Sequence, residues 1–280
     1  MPGMVFGKNR MGYEFSQSAI GKFRQCPEQA RRIWMGEVDD FPGDKALRGI
    51  IAHAGISDWL IHEDVEGVSH AMEEAWQEEM MTGHPGIKHE SLGEAAEAMQ
   101  LWLNAYPMMG FGPLQDVRTE QMFTLELRPG LSIRGSRDVV HRHGVIDWKF
   151  SQARHWFTEA WRHKRYDVQP TVYLAALSME TGIPIERLTF HYAVVSDREF
   201  KVIPVTRTQN DVKNLLTELE SIITIIEAMP DGPWPMNSND WHCGKWCPVF
   251  MSGQCMGEFP PSWVASHKDP EYVNLMKRNK

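Results

Sequence analysis

Two aspartates set symmetrically about a polar turn constrain this chain more than any other feature. Asp138 closes Gly135-Ser136-Arg137-Asp138, Asp147 opens Asp147-Trp148-Lys149, and His141-Arg142-His143-Gly144 lies between them. The flanking runs, Ser132 to His141 and Val145 to Phe150, have the composition of two strands joined by a tight turn. A two-residue loop at Arg142-His143 sets Asp138 directly opposite Asp147, where opposed Cβ atoms lie about 4.5–5.5 Å apart. A turn at His143-Gly144 sets Asp138 opposite Lys149 instead. Both registers keep the three side chains on one face, because side chains repeat with period two along a strand. An odd-length loop needs a bulge to do the same. Carboxylates this close repel, and a hard divalent cation relieves the repulsion while organising phosphate and water. Lys149 can then orient the attacking water or stabilise negative charge in the transition state. The plainer reading makes both aspartates solvated turn-flanking residues, since an isolated Asp-x-Lys is common.

The elements around this hairpin give an α/β chain. Up to about residue 112 the pattern is helical. Ser16 caps a helix running through Ile20, Phe23 and Ala30 to Trp34, and Asp44 caps a second over Lys45 to Leu60. Val68 to Met81 and Leu92 to Tyr106 continue it across a Gly/Pro/His loop. Strands are expected at Val117 to Leu127, Leu188 to Val195 and Lys201 to Val205 besides the hairpin. Helices are expected at Asp167 to Thr181, with Pro170 tolerated in its first turn, and at Gln209 to Met229. The last fifty residues are rich in Pro, Gly, Asn and Trp and read as loop held by something other than a large core. Three regions follow: a helical region 1–112, an α/β core 113–230 and a C-terminal cap 231–280.

Composition excludes several classes. The chain has 280 residues, 42% hydrophobic and 24% charged, enough for a sizeable core. Its richest apolar run, Ile222 to Met229, is short and interrupted by Thr224 and Glu227, so no membrane span is expected. Met1 to Asn9 lacks an apolar signal core, which makes a cytoplasmic location the expectation. A net charge of −8 argues against a protein that coats nucleic acid indiscriminately. Basic residues are nevertheless bunched in one stretch: Arg154, Arg162, Lys164 and Arg165, with Trp156 and Trp161 interleaved. Such groups can meet phosphates and stack on bases; they can equally form a solvated helix face.

Read in order, further motifs join the aspartates. Phe15-Ser16-Gln17-Ser18 leads to Phe23-Arg24-Gln25-Cys26-Pro27; Gly49-Ile50-Ile51-Ala52-His53 follows, and Gln169-Pro170-Thr171-Val172-Tyr173 lies beyond the hairpin. Alone, His53 on an apolar helix reads as a core histidine, and Gln169 and Tyr173, at i and i+4, as a surface polar group and a core aromatic. Together, from about Ser16 to Cys255, they resemble the RecB-like branch of the PD-(D/E)XK nucleases, which includes CRISPR-associated four-cysteine exonucleases and phage exonucleases. The resemblance implies a restriction-endonuclease-like core, a mixed sheet flanked by helices, with an N-terminal helical subdomain. It implies that His53, Asp138 and Asp147, with the Trp148 carbonyl, hold Mg²⁺ or Mn²⁺, and that Lys149 is the catalytic base or charge stabiliser. Gln169 and Tyr173 would position Lys149 and the strand. Glu120, on the preceding strand, is a further candidate near the metal.

Four cysteines are unevenly spaced: Cys26 alone, then Cys243, Cys247 and Cys255. That spacing suggests a metal site more than disulfides. By resemblance they hold a [4Fe-4S] cluster that makes the C-terminus a cluster-bound cap. The three residues between Cys243 and Cys247, where the family more often has two, keep structural zinc open as the alternative. The expected function is metal-dependent hydrolysis of DNA from its ends, most readily of single strands, in recombination, repair or phage DNA metabolism, with a recombination or replication protein as partner. The alternatives are a structure-specific endonuclease using the same site, and a DNA-binding assembly subunit whose site is vestigial.

Overall fold

A computed structural model describes residues 6–9, 12–38, 44–82, 90–111, 114–150, 168–196, 199–237, 247–251 and 255. Cys243 and the basic stretch with Arg154, Trp156, Arg162, Lys164 and Arg165 lie outside these residues. The chain divides into two compact units, residues 3–40 with 218–280 and residues 41–217, so its two ends share one unit. Among the described residues, no helix is long and apolar enough to cross a membrane.

The larger unit begins with three helices, α3 (Asp44–His62), α4 (Val65–Met81) and α5 (Glu90–Ala105). Asp64 caps α4, accepting from the Glu66 and Gly67 N–H groups and satisfying donors that the first turn leaves open. Then come β3 (Arg118–Arg128), β4 (Leu131–His141), β5 (Gly144–Phe150), helix α6 (Val168–Thr181), β6 (Thr189–Val195) and β7 (Phe200–Val205). Neighbouring strands pair antiparallel except β5 and β6, which run parallel because α6 crosses between them. This is a mixed sheet with helices on both faces.

Period-two alternation sorts the faces. Ile146 and Trp148 of β5 and Ala193 and Val195 of β6 join Ile51 and Ile56 of α3 and Ala95, Met99 and Trp102 of α5 in one buried cluster. Trp102 and Trp148 meet edge to face at 5.2 Å, in the geometry that opposed aromatic quadrupoles favour. On the other face Phe190 packs against Tyr173 of α6, with ring centres 5.9 Å apart. Helix α6 is buried from Val168 through Leu177, consistent with its place against the sheet. Asp147 and Lys149 alternate with Trp148 and share this second face, toward α6.

The smaller unit departs from the helical expectation for the N-terminus. An antiparallel hairpin, β1 (Phe6–Asn9) and β2 (Gly12–Ser16), precedes the first helix. Tyr13 and Phe15 are buried on one face of β2, the alternation of a half-buried strand. The single helix expected to Trp34 is two: α1 (Gln17–Gln25) and α2 (Pro27–Trp34). The break is at Cys26, held extended at φ −161°, because the Pro27 ring disfavours helical backbone before it. Ser16 does cap α1, accepting from the Ala19 N–H at 3.1 Å. The later part of α7 (Gln209–Ala228) joins this unit: Arg24 forks onto Glu218, and the Tyr13 hydroxyl donates to Glu227. A one-turn helix, α8 (Pro248–Met251), packs on α2.

Candidate metal centre

The β4–β5 ladder pairs Val139 with Ile146, Val140 with Val145 and His141 with Gly144, so the turn is the two-residue version at Arg142-His143. The next rung would pair Asp138 with Asp147, but the ladder stops before it. Asp138 Oδ2 accepts instead from the Trp148 N–H at 2.9 Å. At that point His53, from α3, brings its Nδ1 to 3.4 Å from the same carboxylate oxygen. His53 also hydrogen-bonds the Trp148 backbone carbonyl.

Glu120 completes the acidic group. One ligand atom each from His53, Glu120 and Asp138 lies within 4.8 Å of the others, a spread that one divalent cation can close. Two backbone irregularities put Glu120 there. A register shift between Glu126 and Arg128 moves the β3–β4 pairing by one residue, so that Glu120, not Gln121, falls opposite Asp138. Glu120 itself has φ +46°, a left-handed value that costs a non-glycine residue energy, and it drops out of the ladder while Thr119 and Gln121 stay paired.

Asp147 is arranged differently. It is 1% exposed, with Oδ2 at 2.5 Å from Lys149 Nζ and Oδ1 accepting from Gln169 Nε2 at 2.5 Å. Gln169 also hydrogen-bonds the Tyr173 phenol. The site therefore has two halves: His53, Glu120 and Asp138 around a potential cation position, and Asp147 clamped between Lys149 and Gln169. The Trp148 backbone links them, its N–H on Asp138 and its carbonyl on His53.

Burial dominates the electrostatics. It pulls His53 down to about 4, helped by the Lys149 charge, so at neutral pH the imidazole is uncharged and can ligate. Burial pushes Asp147 up to about 6 against the pull of Lys149, and raises Asp138 likewise. Glu120 keeps an exposed edge, but surrounding protein and the charges of Asp138 and Asp147 hold its carboxyl at about 7. The Tyr173 phenol is held well above its usual range by burial and nearby carboxylates, and stays neutral.

A pH dependence follows. Glu120 and Asp147 lie above their ordinary values of 4.5 and 3.8. Their protonation favours the metal-free fold fully below those ordinary values, and the benefit disappears as pH rises through about 6 to 7. A cation must displace these protons, so Mn²⁺ affinity should climb between pH 5.5 and 8, and Mn²⁺ should raise the melting temperature more at pH 8. Titration calorimetry in two buffers of different ionisation enthalpy measures the protons released. Affinity independent of pH with no proton release would show that the carboxylates are already ionised.

The sequence profile of the PD-(D/E)XK nuclease superfamily matches residues 14–252. The chain belongs to that superfamily. Solved structures align with it to different degrees. A Eubacterium rectale protein provisionally named an exonuclease aligns with TM-score 0.56 and 14% identity, over 90% of this chain and 92% of its own. The protein SSO0001 aligns with TM-score 0.45 and 12% identity, over 91% and 90%. LHK-Exo, solved with dAMP, aligns with TM-score 0.34 and 16% identity, over 64% of this nuclease-superfamily chain and 91% of its own. At 14% identity and TM-score 0.56 the Eubacterium rectale likeness speaks to fold alone, and the two weaker alignments carry no argument. No curated protein matches by sequence.

Proposed function

We propose that this protein is a metal-dependent exonuclease that hydrolyses DNA from an end, with Mg²⁺ or Mn²⁺ held by His53, Glu120 and Asp138 and bordered by Asp147. The convergence of three ligand atoms within 4.8 Å, beside the Lys149–Asp147 pair, carries this reading. The donors fit such a cation: two carboxylates for a hard ion, with one neutral imidazole that Mn²⁺ tolerates better than Mg²⁺. When bound, the cation polarises a phosphate oxygen and lowers the pKa of water. Asp138 is oriented by the Trp148 N–H. Lys149 carries positive charge to the scissile phosphate and stabilises charge that builds there. Gln169 fixes Asp147 from the side opposite Lys149, and Tyr173 steadies Gln169 as an uncharged phenol. This complete set weighs against a vestigial site, which would lack the lysine or an aspartate.

The demand for an end has to come from shape and grip, since one cation and one lysine impose none. The residues Arg154, Trp156, Arg162, Lys164 and Arg165 supply the phosphate contacts and stacking surfaces this reading needs. The four cysteines are proposed to bind one [4Fe-4S] cluster, or zinc, that fastens the C-terminal cap. Linear single-stranded DNA with Mn²⁺ should be degraded to nucleotides or short fragments, and a covalently closed circle of the same sequence should survive. Cleavage should fall steeply with salt as phosphate contacts release counterions. Rapid nicking of the circle would replace this reading with the structure-specific endonuclease.

A further inference from the structure

The β4–β5 turn borders a cavity of about 390 Å³ that shares no lining residue with the metal centre and is edged by Phe111, Gln115, His141, Arg142, His143 and His191. Strand pairing brings two of these histidines together. His141 pairs with Gly144 and His191 with Ile146, and Gly144 and Ile146 share one face of β5. The two imidazole centres lie 6.4 Å apart, and Phe111 meets His191 edge to face at 5.5 Å. The Arg142 N–H donates to the Gln115 carbonyl, which ties the segment after α5 to the turn. The His143 N–H donates to His141 Nδ1 at 3.5 Å, so a neutral His141 carries its proton on Nε2. That Nε2 and His191 Nδ1 are both buried, and neither has a hydrogen-bond partner among the described residues. Buried polar atoms are ordinarily partnered, so two open ring nitrogens at one cavity point to a group that meets them.

Burial holds both imidazoles below their ordinary range, His141 at about 4, so both are neutral at pH 7 and suit donors and acceptors better than a bare anion. A cation fits no better: among the described residues, only His53, Glu120 and Asp138 bring three ligand atoms together. The walls suit a flat ring, apolar on its faces for Phe111 and edged with donors and acceptors for the imidazoles. Arg142, exposed in the turn, offers a planar guanidinium to a phosphate. The volume falls among those of small-molecule sites, roughly 300–1,000 Å³. We propose that this cavity binds one nucleotide, its base edge on His141 Nε2 and His191 Nδ1 beside Phe111, and its phosphate at Arg142. The choice of a nucleotide among flat heteroaromatic ligands rests on the nuclease reading above. The nucleotide can come from two sources, a free monophosphate or a unit still within a DNA strand.

The test titrates the full-length protein, in chelator so that no strand is cut, with deoxynucleoside monophosphates, the matching nucleosides and a short single strand. His141→Phe and His191→Phe keep a ring in place and remove the open nitrogen. Each should weaken monophosphate binding about tenfold, the worth of one hydrogen bond. Arg142→Ala should weaken the monophosphate and leave the nucleoside unchanged. If monophosphates do not bind but the strand binds more weakly to both histidine variants, the nucleotide belongs to a strand. Should a variant fail to fold, wild type labelled in histidine still decides, because the His141 and His191 imidazole signals must shift on titration. Monophosphate and strand affinities unchanged in both histidine variants, or imidazole signals that stay in place, would overturn the proposal. Binding is measured without metal, so a protein that digests DNA with Mn²⁺ yet fails here loses only this pocket. One that passes here but cuts nothing loses only the exonuclease reading.

Discussion

Lys149→Ala should lower Mn²⁺-dependent DNA cleavage at least a hundredfold, while the protein binds Mn²⁺ as well as before or better. The first effect follows from removing the ammonium paired with Asp147, which on the proposed mechanism stabilises charge as it develops on the phosphate. The second follows from electrostatics. Lys149 is among the charges that hold the Asp138 and Asp147 carboxyls down, so without it both protonate more readily and the site as a whole is more negative. At pH 8, where the carboxylates ionise, the added negative charge should favour the cation. At pH 6 the raised Asp147 should offset that gain. Asp138→Ala should do the reverse, weakening Mn²⁺ binding together with turnover, because it removes the oxygen shared by the Trp148 N–H and His53. Rates of linear-strand digestion at saturating Mn²⁺, set beside calorimetric affinities, separate the two roles. A Lys149→Ala enzyme within a few-fold of wild type would remove lysine from the mechanism.

Much of this site is legible in the sequence because strand periodicity is rigid. The spacing of Asp138 and Asp147 leaves two turn positions open, and the fold takes the one at Arg142-His143, with the ladder ending one rung short of the aspartates. His53, Gln169 and Tyr173 have no local signature; only motif order ties them to the aspartates, and the fold brings their side chains to that point. Glu120 is harder to place for a physical reason. A turn at Pro129-Gly130 with regular pairing sets Gln121 opposite Asp138, and only the shift between Glu126 and Arg128 moves Glu120 there. A bulge changes register by one residue without leaving a hydrophobic pattern, so periodicity cannot reveal it. The break at Cys26 had a visible cause in Pro27, yet the apolar spacing ran through it. The β1–β2 hairpin is so short that its alternation covers little more than Tyr13 and Phe15.

The loop-rich C-terminal segment raised the question of what holds it, and part of the answer needs no metal. Glu28 is 2% exposed and receives Arg31 and Arg32 guanidinium groups at 2.8–2.9 Å. Its Oε2 also accepts from the Trp234 N–H at 2.8 Å, and the Glu28 N–H donates to the Pro235 carbonyl. The Trp234 ring packs against Phe23 and Trp34, with centres 5.8 and 5.6 Å away. One carboxylate thus joins α2 to the chain 206 residues later, and its three partners hold its pKa down at about 2 against the cost of burial. Glu28→Ala would leave the largely buried Arg31 and Arg32 guanidinium groups to share the more exposed Glu37, and the Trp234 N–H without its acceptor. Breaking a buried ion pair from one side costs about 3–5 kcal/mol. The smaller unit should therefore melt well below wild type, and the segment around Trp234 should become sensitive to limited proteolysis. The same group sets an acid limit. Its folded pKa lies below its ordinary 4.5, so its stabilisation is complete above that value and is lost as pH falls toward about 2. Glu28→Ala should accordingly flatten the melting profile between pH 5 and pH 2. A variant with wild-type melting temperature and the same acid profile would show that the C-terminal segment is held without this carboxylate.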